Sequence, residues 1–179
     1  MESNLTVEWD EQGRMKYDGH IFNIVSDEAR REVQSGERKG CHSSGHWFHV
    51  SQLGVLLAQL EGADTVVPLL FGFYHDCRRE NDGYDPGHGP RASELVREHF
   101  EKGWLRITED QMELLVYACE FHTSGRHHNS KTVGVCWDAD RLTLPRVGTQ
   151  TNPEYLNTET AKRLSMMQHS MYFGRCTCG

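Results

Sequence analysis

The chain has no long apolar run. Its longest uncharged apolar run, Val66 to Tyr74, is nine residues and contains Pro68, whereas a helix spanning a bilayer needs about 20. No transmembrane helix is therefore expected. A basic-then-apolar leader is also lacking, because the opening MESNLTVEWDEQGR is acidic, and a cytoplasmic protein is the expectation. Positive charge is in deficit: 19 Lys and Arg stand against 26 Asp and Glu, a formal net charge of -7 over 179 residues. Such a field repels phosphate backbones and anionic membranes, which excludes general binding to long nucleic acid or to a membrane surface. Proline is scarce, at 5, and with 37% hydrophobic and 25% charged residues the disordered and collagen-like classes are excluded. Of six cysteines only Cys176 and Cys178 lie close together, so no disulfide framework is expected. That last pair can bind a soft metal, but so near the end of the chain it reads better as a frayed tail.

What the chain has in quantity is histidine, eleven in all. At roughly 100–200 residues per domain the length predicts one domain. Residues 1–25 stand apart: Leu5, Val7 and Trp9 alternate with polar residues, and the segment is readable as extended chain or loop. From residue 26 to 179 the pattern is helical. Ser26-Asp27-Glu28 opens a short helix over Ala29 to Gln34, stopped by Ser35-Gly36. Val50, Leu53, Leu57 and Leu60 continue a stripe that begins at His46 and ends at Gly62. Asp64 is placed to cap a helix that is apolar all round and runs to Tyr74, with Pro68 near its first turn. A loop rich in Gly, Asn, Asp and Pro spans 81–90, followed by a helix marked by Ala92, Leu95, Val96, His99 and Phe100. Thr108 and Gln111 have the spacing of a capping box ahead of Met112, Leu115, Val116 and Cys119. Further helices are expected over Thr132 to Leu142 and Thr158 to His169. Strand-like alternation is scarce after residue 26, and the fold class read from the sequence is an all-α, single-domain helical bundle.

Several of these segments place a His or Asp on, or at the end of, an apolar helix face: His46, His75-Asp76, His122 and Asp140, with His88 in the Gly-Pro loop. One buried imidazole or carboxylate is commonly a satisfied core group, but burial is costly without a partner or a metal, and repetition across five segments points to a site. Imidazole nitrogen and carboxylate oxygen form the ligand set of exchangeable catalytic metal centres.

The ordered set His46 in HWFHV, His75-Asp76 in FYHD and Asp140 in WDADRL resembles the HD superfamily of metal-dependent phosphohydrolases over roughly residues 40–150. The resemblance implies an HD-type helical fold with His46, His75, Asp76 and Asp140 as metal ligands. His46 is preferred to His49 because a valine follows four residues later and because it lies on the Val50/Leu53/Leu57 stripe; His42 and His49 are then supporting or surface residues. Asp138 and Asp140 sit about 200° apart around a helix and cannot both face one metal. His88-Gly89 with Ala92, and Phe121-His122-Thr123-Ser124-Gly125, resemble motifs of HD proteins that hold a second metal, among them bacterial dinucleoside-tetraphosphate hydrolases. That resemblance implies that Asp76 bridges two ions, with His88 and His122 on the second.

The expected cofactor is one or two divalent ions of Fe, Mn, Co, Ni or Zn. A metal lowers the pKa of bound water toward ~7, and two ions ~3.5–4 Å apart can aim a hydroxide at phosphorus. The expected activity is thus hydrolysis of a phosphoester or phosphoanhydride in a nucleotide or other small phosphorylated metabolite, centred on Asp76. Arg79 is the first choice for a phosphate clamp, with Arg91 and Arg126 as further substrate contacts, since a guanidinium reads phosphate oxygens bidentately. Glu80 and Asp82 are candidates for proton relay, and His127-His128 reads as an exposed pair. Two other functions share the ligand set: a di-iron HD-type oxygenase, and a non-catalytic nucleotide-binding protein.

Overall fold

The computed structural model describes residues 8–9, 15–16, 24–37 and 40–168. Among them are seven α-helices: α1 (Asp27–Ser35), α2 (Ser44–Glu61), α3 (Val66–Tyr74), α4 (His88–Glu101), α5 (Glu109–Phe121), α6 (Lys131–Leu142) and α7 (Glu159–Gln168). Two short 3₁₀ turns, Leu144–Val147 and Pro153–Tyr155, join α6 to α7. The N-terminal segment contributes a two-residue antiparallel pairing, Glu8–Trp9 with Met15–Lys16, in which Glu8 faces Lys16 and Trp9 faces Met15. The rest of residues 1–23, and the Cys176/Cys178 tail, lie outside the described residues. None of the helices among the described residues is long and apolar enough to cross a membrane.

Local chemistry accounts for the helix limits. The Ser26 hydroxyl accepts from the Ala29 amide at 3.2 Å to open α1. Gly62, at φ 65°, closes α2 in the left-handed conformation that glycine adopts without strain. The Asp64 carboxylate accepts from the Val67 amide at 2.9 Å, and the Thr108–Gln111 capping box forms as expected. Helix α4 departs from expectation: it starts at His88, inside the segment read as loop, because Pro90 falls in its first turn, where a missing amide proton costs nothing. His88 is therefore a helix residue.

Helix α3 is the axis of the bundle. Val66 to Gly72 and Tyr74 are all buried, and α3 packs against α2, α5 and α6. Gly72 permits the closest of these approaches, since a Cβ there would lie 2.2 Å from Ser51 Oγ. Leu60 departs from the expected stripe: it is 61% exposed, at the last turn of α2 beyond the reach of neighbouring helices. Asp138, by contrast, is wholly buried, where its carboxylate accepts from the amides of Asn157 and Thr158, from Asn157 Nδ2 and from Thr158 Oγ1 at 2.7–3.0 Å. It thereby pins the start of α7 to α6, and burial still pushes its pKa up against those four bonds.

Candidate metal centre

Four helix ends and one helix interior deliver six side chains to one place. His46 comes from the first turn of α2, His75-Asp76 from the end of α3, His88 from the first residue of α4, His122 from the end of α5 and Asp140 from α6. All but Asp140 are buried. They form two groups whose donor atoms lie within 4.8 Å of one another: His46, His75 and Asp140, and Asp76, His88 and His122.

Asp76 touches both groups through different oxygens. Its Oδ2 is 3.4 Å from His46 Nε2 and 3.3 Å from His75 Nε2, while Oδ1 is 3.1 Å from His88 Nε2 and 3.8 Å from His122 Nε2. Asp140 Oδ1 lies 3.4 Å from His46 Nε2 and 3.7 Å from His75 Nε2. Burial favours the neutral form of Asp76, but the surrounding imidazoles outweigh it and hold the carboxyl well below the usual range; Asp140 is lowered in the same way by His46 and His75.

The far nitrogens of the rings settle what the near ones can do. His75 Nδ1 donates to the carbonyls of Phe71 and Gly72 at 3.1 Å, His88 Nδ1 to Asp85 O at 2.5 Å and His122 Nδ1 to Cys119 O at 2.7 Å. A carbonyl only accepts, so in the neutral rings Nδ1 carries the proton and Nε2 presents a lone pair. Yet His88 Nε2 and His122 Nε2 are 2.9 Å apart, and His46 Nε2 and His75 Nε2 are 3.2 Å apart. Imidazole nitrogens so arranged around carboxylate oxygens are placed to hold a cation, although His46 Nδ1 has no hydrogen-bond partner among the described residues and its tautomer is not fixed in this way. Carbonyl-anchored Nδ1 atoms behind converging Nε2 atoms are the arrangement that orients metal-binding histidines, and the donor set suits a divalent transition ion.

The centre opens on one side into a cavity of about 490 Å³ whose lining includes Asp76, His122 and Asp140. Arg79 reaches in beside Asp76, with Nη1 3.4 Å from Asp76 Oδ1 and 3.1 Å from His88 Nε2 while Nη2 donates to Gly83 O at 2.8 Å. Arg126 also lines the cavity, stacked over the Tyr155 ring at 4.9 Å. Arg91 does not: it is bound to Asp85 at 2.6 Å, to Arg78 O at 3.1 Å and to Glu80 at 3.7 Å, and so braces the 78–87 loop. Glu80 is exposed. His42 lies at the cavity wall and bonds Asp82 at 2.9 Å, with its pKa lowered by burial, whereas His49 is exposed. His127 is exposed, but His128 is half-buried against the Tyr117 ring at 4.6 Å, which corrects the reading of both as an exposed pair.

Three polar cavity residues escaped the sequence reading. Arg141, the neighbour of Asp140, donates to the carbonyls of Gly125, Arg126 and Tyr155 and closes the wall between α6 and two loops. Arg146 and Tyr155 come from the two 3₁₀ turns. Adjacency to a ligand was available as a signal for Arg141; Arg146 and Tyr155 depend on turns that have no periodicity.

No protein-family model matches the sequence, and no curated protein matches it. The chain is similar to a crystal structure of a predicted HD superfamily hydrolase from an uncultured Thermotogales bacterium, at 22% identity over 80% of this chain and 84% of that one, with a TM-score of 0.63. The likeness is one of architecture: the chain has the all-α fold of an HD domain.

Proposed function

We propose that the chain is a metal-dependent phosphohydrolase that cleaves a phosphoester or phosphoanhydride in a small phosphorylated metabolite, nucleotides included. The observation that carries this reading is the convergence of four imidazole Nε2 atoms on the two oxygens of Asp76 at the floor of an arginine-lined cavity. In it, His46, His75 and Asp140, with Asp76 beside them, would hold one divalent ion, and Asp76, His88 and His122 would hold a second. Such ions, when bound, supply Lewis acidity toward phosphoryl oxygens and acidify a water.

The remaining work falls to the chain. The carbonyl bonds of His75, His88 and His122 keep their rings in one orientation, so the centre needs no reorganisation when substrate arrives. Arg79 places a guanidinium beside Asp76, where a phosphoryl oxygen gains charge. Arg126, at the mouth, meets the part of the substrate that does not react. Arg91 serves the loop and not the substrate. With an acidic surface elsewhere, a small anion suits the cavity and long nucleic acid does not.

The test is metal content, together with phosphate release from a panel of nucleotides, dinucleoside polyphosphates and sugar phosphates, for Mn-loaded wild type and Asp76→Ala. Release by the wild type alone, with metal lost from the variant, is the expected result. Full activity in Asp76→Ala overturns the site. Silence of the Mn-loaded protein combined with oxygen uptake after ferrous loading overturns hydrolysis in favour of the oxygenase.

A further inference from the structure

The cavity carries more positive charge than one phosphoryl group requires. Four arginines line it, Arg79, Arg126, Arg141 and Arg146, against two carboxylates, Asp76 and Asp140, both in the metal centre. In a chain with a net charge of -7 this is a local inversion. Elsewhere several arginines are matched to acids, among them Arg78 to Glu32 at 2.8 Å and Arg91 to Asp85 at 2.6 Å. Arg126 and Arg146 have no carboxylate partner among the described residues. The contact made by Arg126 there is with the face of Tyr155 at 4.9 Å, which leaves its N–H donors open. Arg146 is held in place by Nε donating to Cys41 O at 3.1 Å and Nη1 donating to Thr143 O and Thr143 Oγ1 at 3.1 and 2.7 Å, while its Nη2 has no bond among the described residues.

These two residues come from separate elements, Arg126 from the segment after α5 and Arg146 from the first 3₁₀ turn. Arg79 already serves the reacting end beside Asp76. Arg141 stands in the same wall with its donors committed to three carbonyls, adding charge without competing for ligand. A half-fixed guanidinium with one free nitrogen and a stacked one with open donors are together fitted to bind an anion. At about 490 Å³ the cavity has room for a metabolite well beyond a single phosphate.

We propose that Arg126 and Arg146 form a second anion site, and that the substrate carries two anionic groups, one at the metal centre and one, a phosphate or a carboxylate, between these arginines. This rests on the phosphohydrolase reading and names the class of substrate for it.

The test is calorimetric binding of three non-hydrolysable probes to the Mn-loaded and the metal-stripped full chain: methylphosphonate, with one anionic group, and propane-1,3-bisphosphonate and 3-phosphonopropanoate, with two. At least one two-headed probe is expected to bind the Mn-loaded protein tenfold or more tightly than methylphosphonate, and the better of the two tells phosphate from carboxylate. In Arg126→Ala and Arg146→Ala the difference between probes collapses to within about threefold, whereas Arg146→Lys, which keeps a cation and controls for folding, retains part of it. Equal binding of all three probes, or a difference that survives in the Arg126→Ala/Arg146→Ala double variant, overturns the second site. A two-headed advantage with no dependence on Mn for any probe leaves the arginine site standing and instead counts against the metal reading.

Discussion

His88 and His122 point their Nε2 atoms at each other across 2.9 Å while each gives its Nδ1 proton to a backbone carbonyl. With Asp76 the pair forms a group whose donor atoms could hold a cation, and Arg79 Nη1 lies 3.1 Å from His88 Nε2. Metal should therefore act as a folding ligand as well as a reagent. At an ion concentration of about 100 times Kd the gain is about 2.7 kcal/mol, which for a chain of this size raises Tm by roughly 5–10 °C. Calorimetric scans with Mn and with chelator check this; equal Tm values would show that the centre is satisfied by protons alone.

Gly89 controls the spacing of that pair. It follows His88 in α4, and a Cβ there would lie 2.7 Å from Cys119 O and 2.8 Å from Glu120 O on α5. Cys119 O is also the acceptor that orients His122. Gly89→Ala should force the two helices apart, cost about 1–3 kcal/mol, and lower the stoichiometry of bound metal while the His46/His75/Asp140 group keeps its ion. Metal analysis and equilibrium unfolding on the same sample test both parts.

Asp138 and Asp140 separate structure from chemistry two residues apart. Asp140→Asn should lose metal affinity and activity with little change in unfolding free energy. Asp138→Ala strands four buried donors from Asn157 and Thr158 and should lower stability by about 3 kcal/mol, at roughly 1–3 kcal/mol per orphaned group with partial relaxation. Metal content in the surviving folded fraction should stay near that of the wild type. The reverse order of effects would place the wrong aspartate at the centre.

Behind the His75-Asp76 corner runs a separate chain of contacts from the core to the surface: Tyr74 Oη donates to His99 Nδ1 at 2.8 Å, His99 Nε2 donates to Glu32 Oε2 at 3.2 Å, and Arg78 donates to Glu32 Oε1 at 2.8 Å. Burial lowers the pKa of His99 despite Glu32. A histidine lowered in the folded state stays neutral where the unfolded chain, near pH 6.5, has begun to take up its proton. Its contribution to stability is therefore full above about pH 6.5 and is lost as pH falls from there through the lower folded value, with a slope of at most about 1.4 kcal/mol per pH unit. His99→Gln should remove that part of the slope, so that stability falls less steeply below about pH 6.5 in the variant than in the wild type while the two profiles run parallel above pH 7. Denaturant titrations of both proteins between pH 5 and 8 measure the difference, and profiles parallel over that whole range would refute it.

Much of this was legible in the order of residues. Helix periodicity, the Thr108–Gln111 box, the Asp64 cap and the Gly62 stop act over three to five residues, so they hold wherever the segment is placed. The same local rule put Asp140 and Asp138 on different faces, because residues two apart on a helix lie about 200° from each other. Histidines at the ends of apolar faces were visible as a pattern too, since an apolar stripe states which side of a helix will be buried.

Other features exist only once the helices pack. That Asp76 offers one oxygen to each cluster, that four carbonyls set the tautomers of His75, His88 and His122, and that Asp138 anchors Asn157 and Thr158 are contacts across separate elements or set by a turn's closure. The arginines make the point most directly. Arg79, Arg91 and Arg126 looked alike beside proposed ligands, but Asp85 and Arg78 O draw Arg91 into the loop, while Arg146, which nothing in its neighbourhood marks out, is carried to the cavity by the turn after α6. A long charged side chain goes to whichever partner the fold brings within reach, and that is decided by packing, whose information is spread over the whole chain.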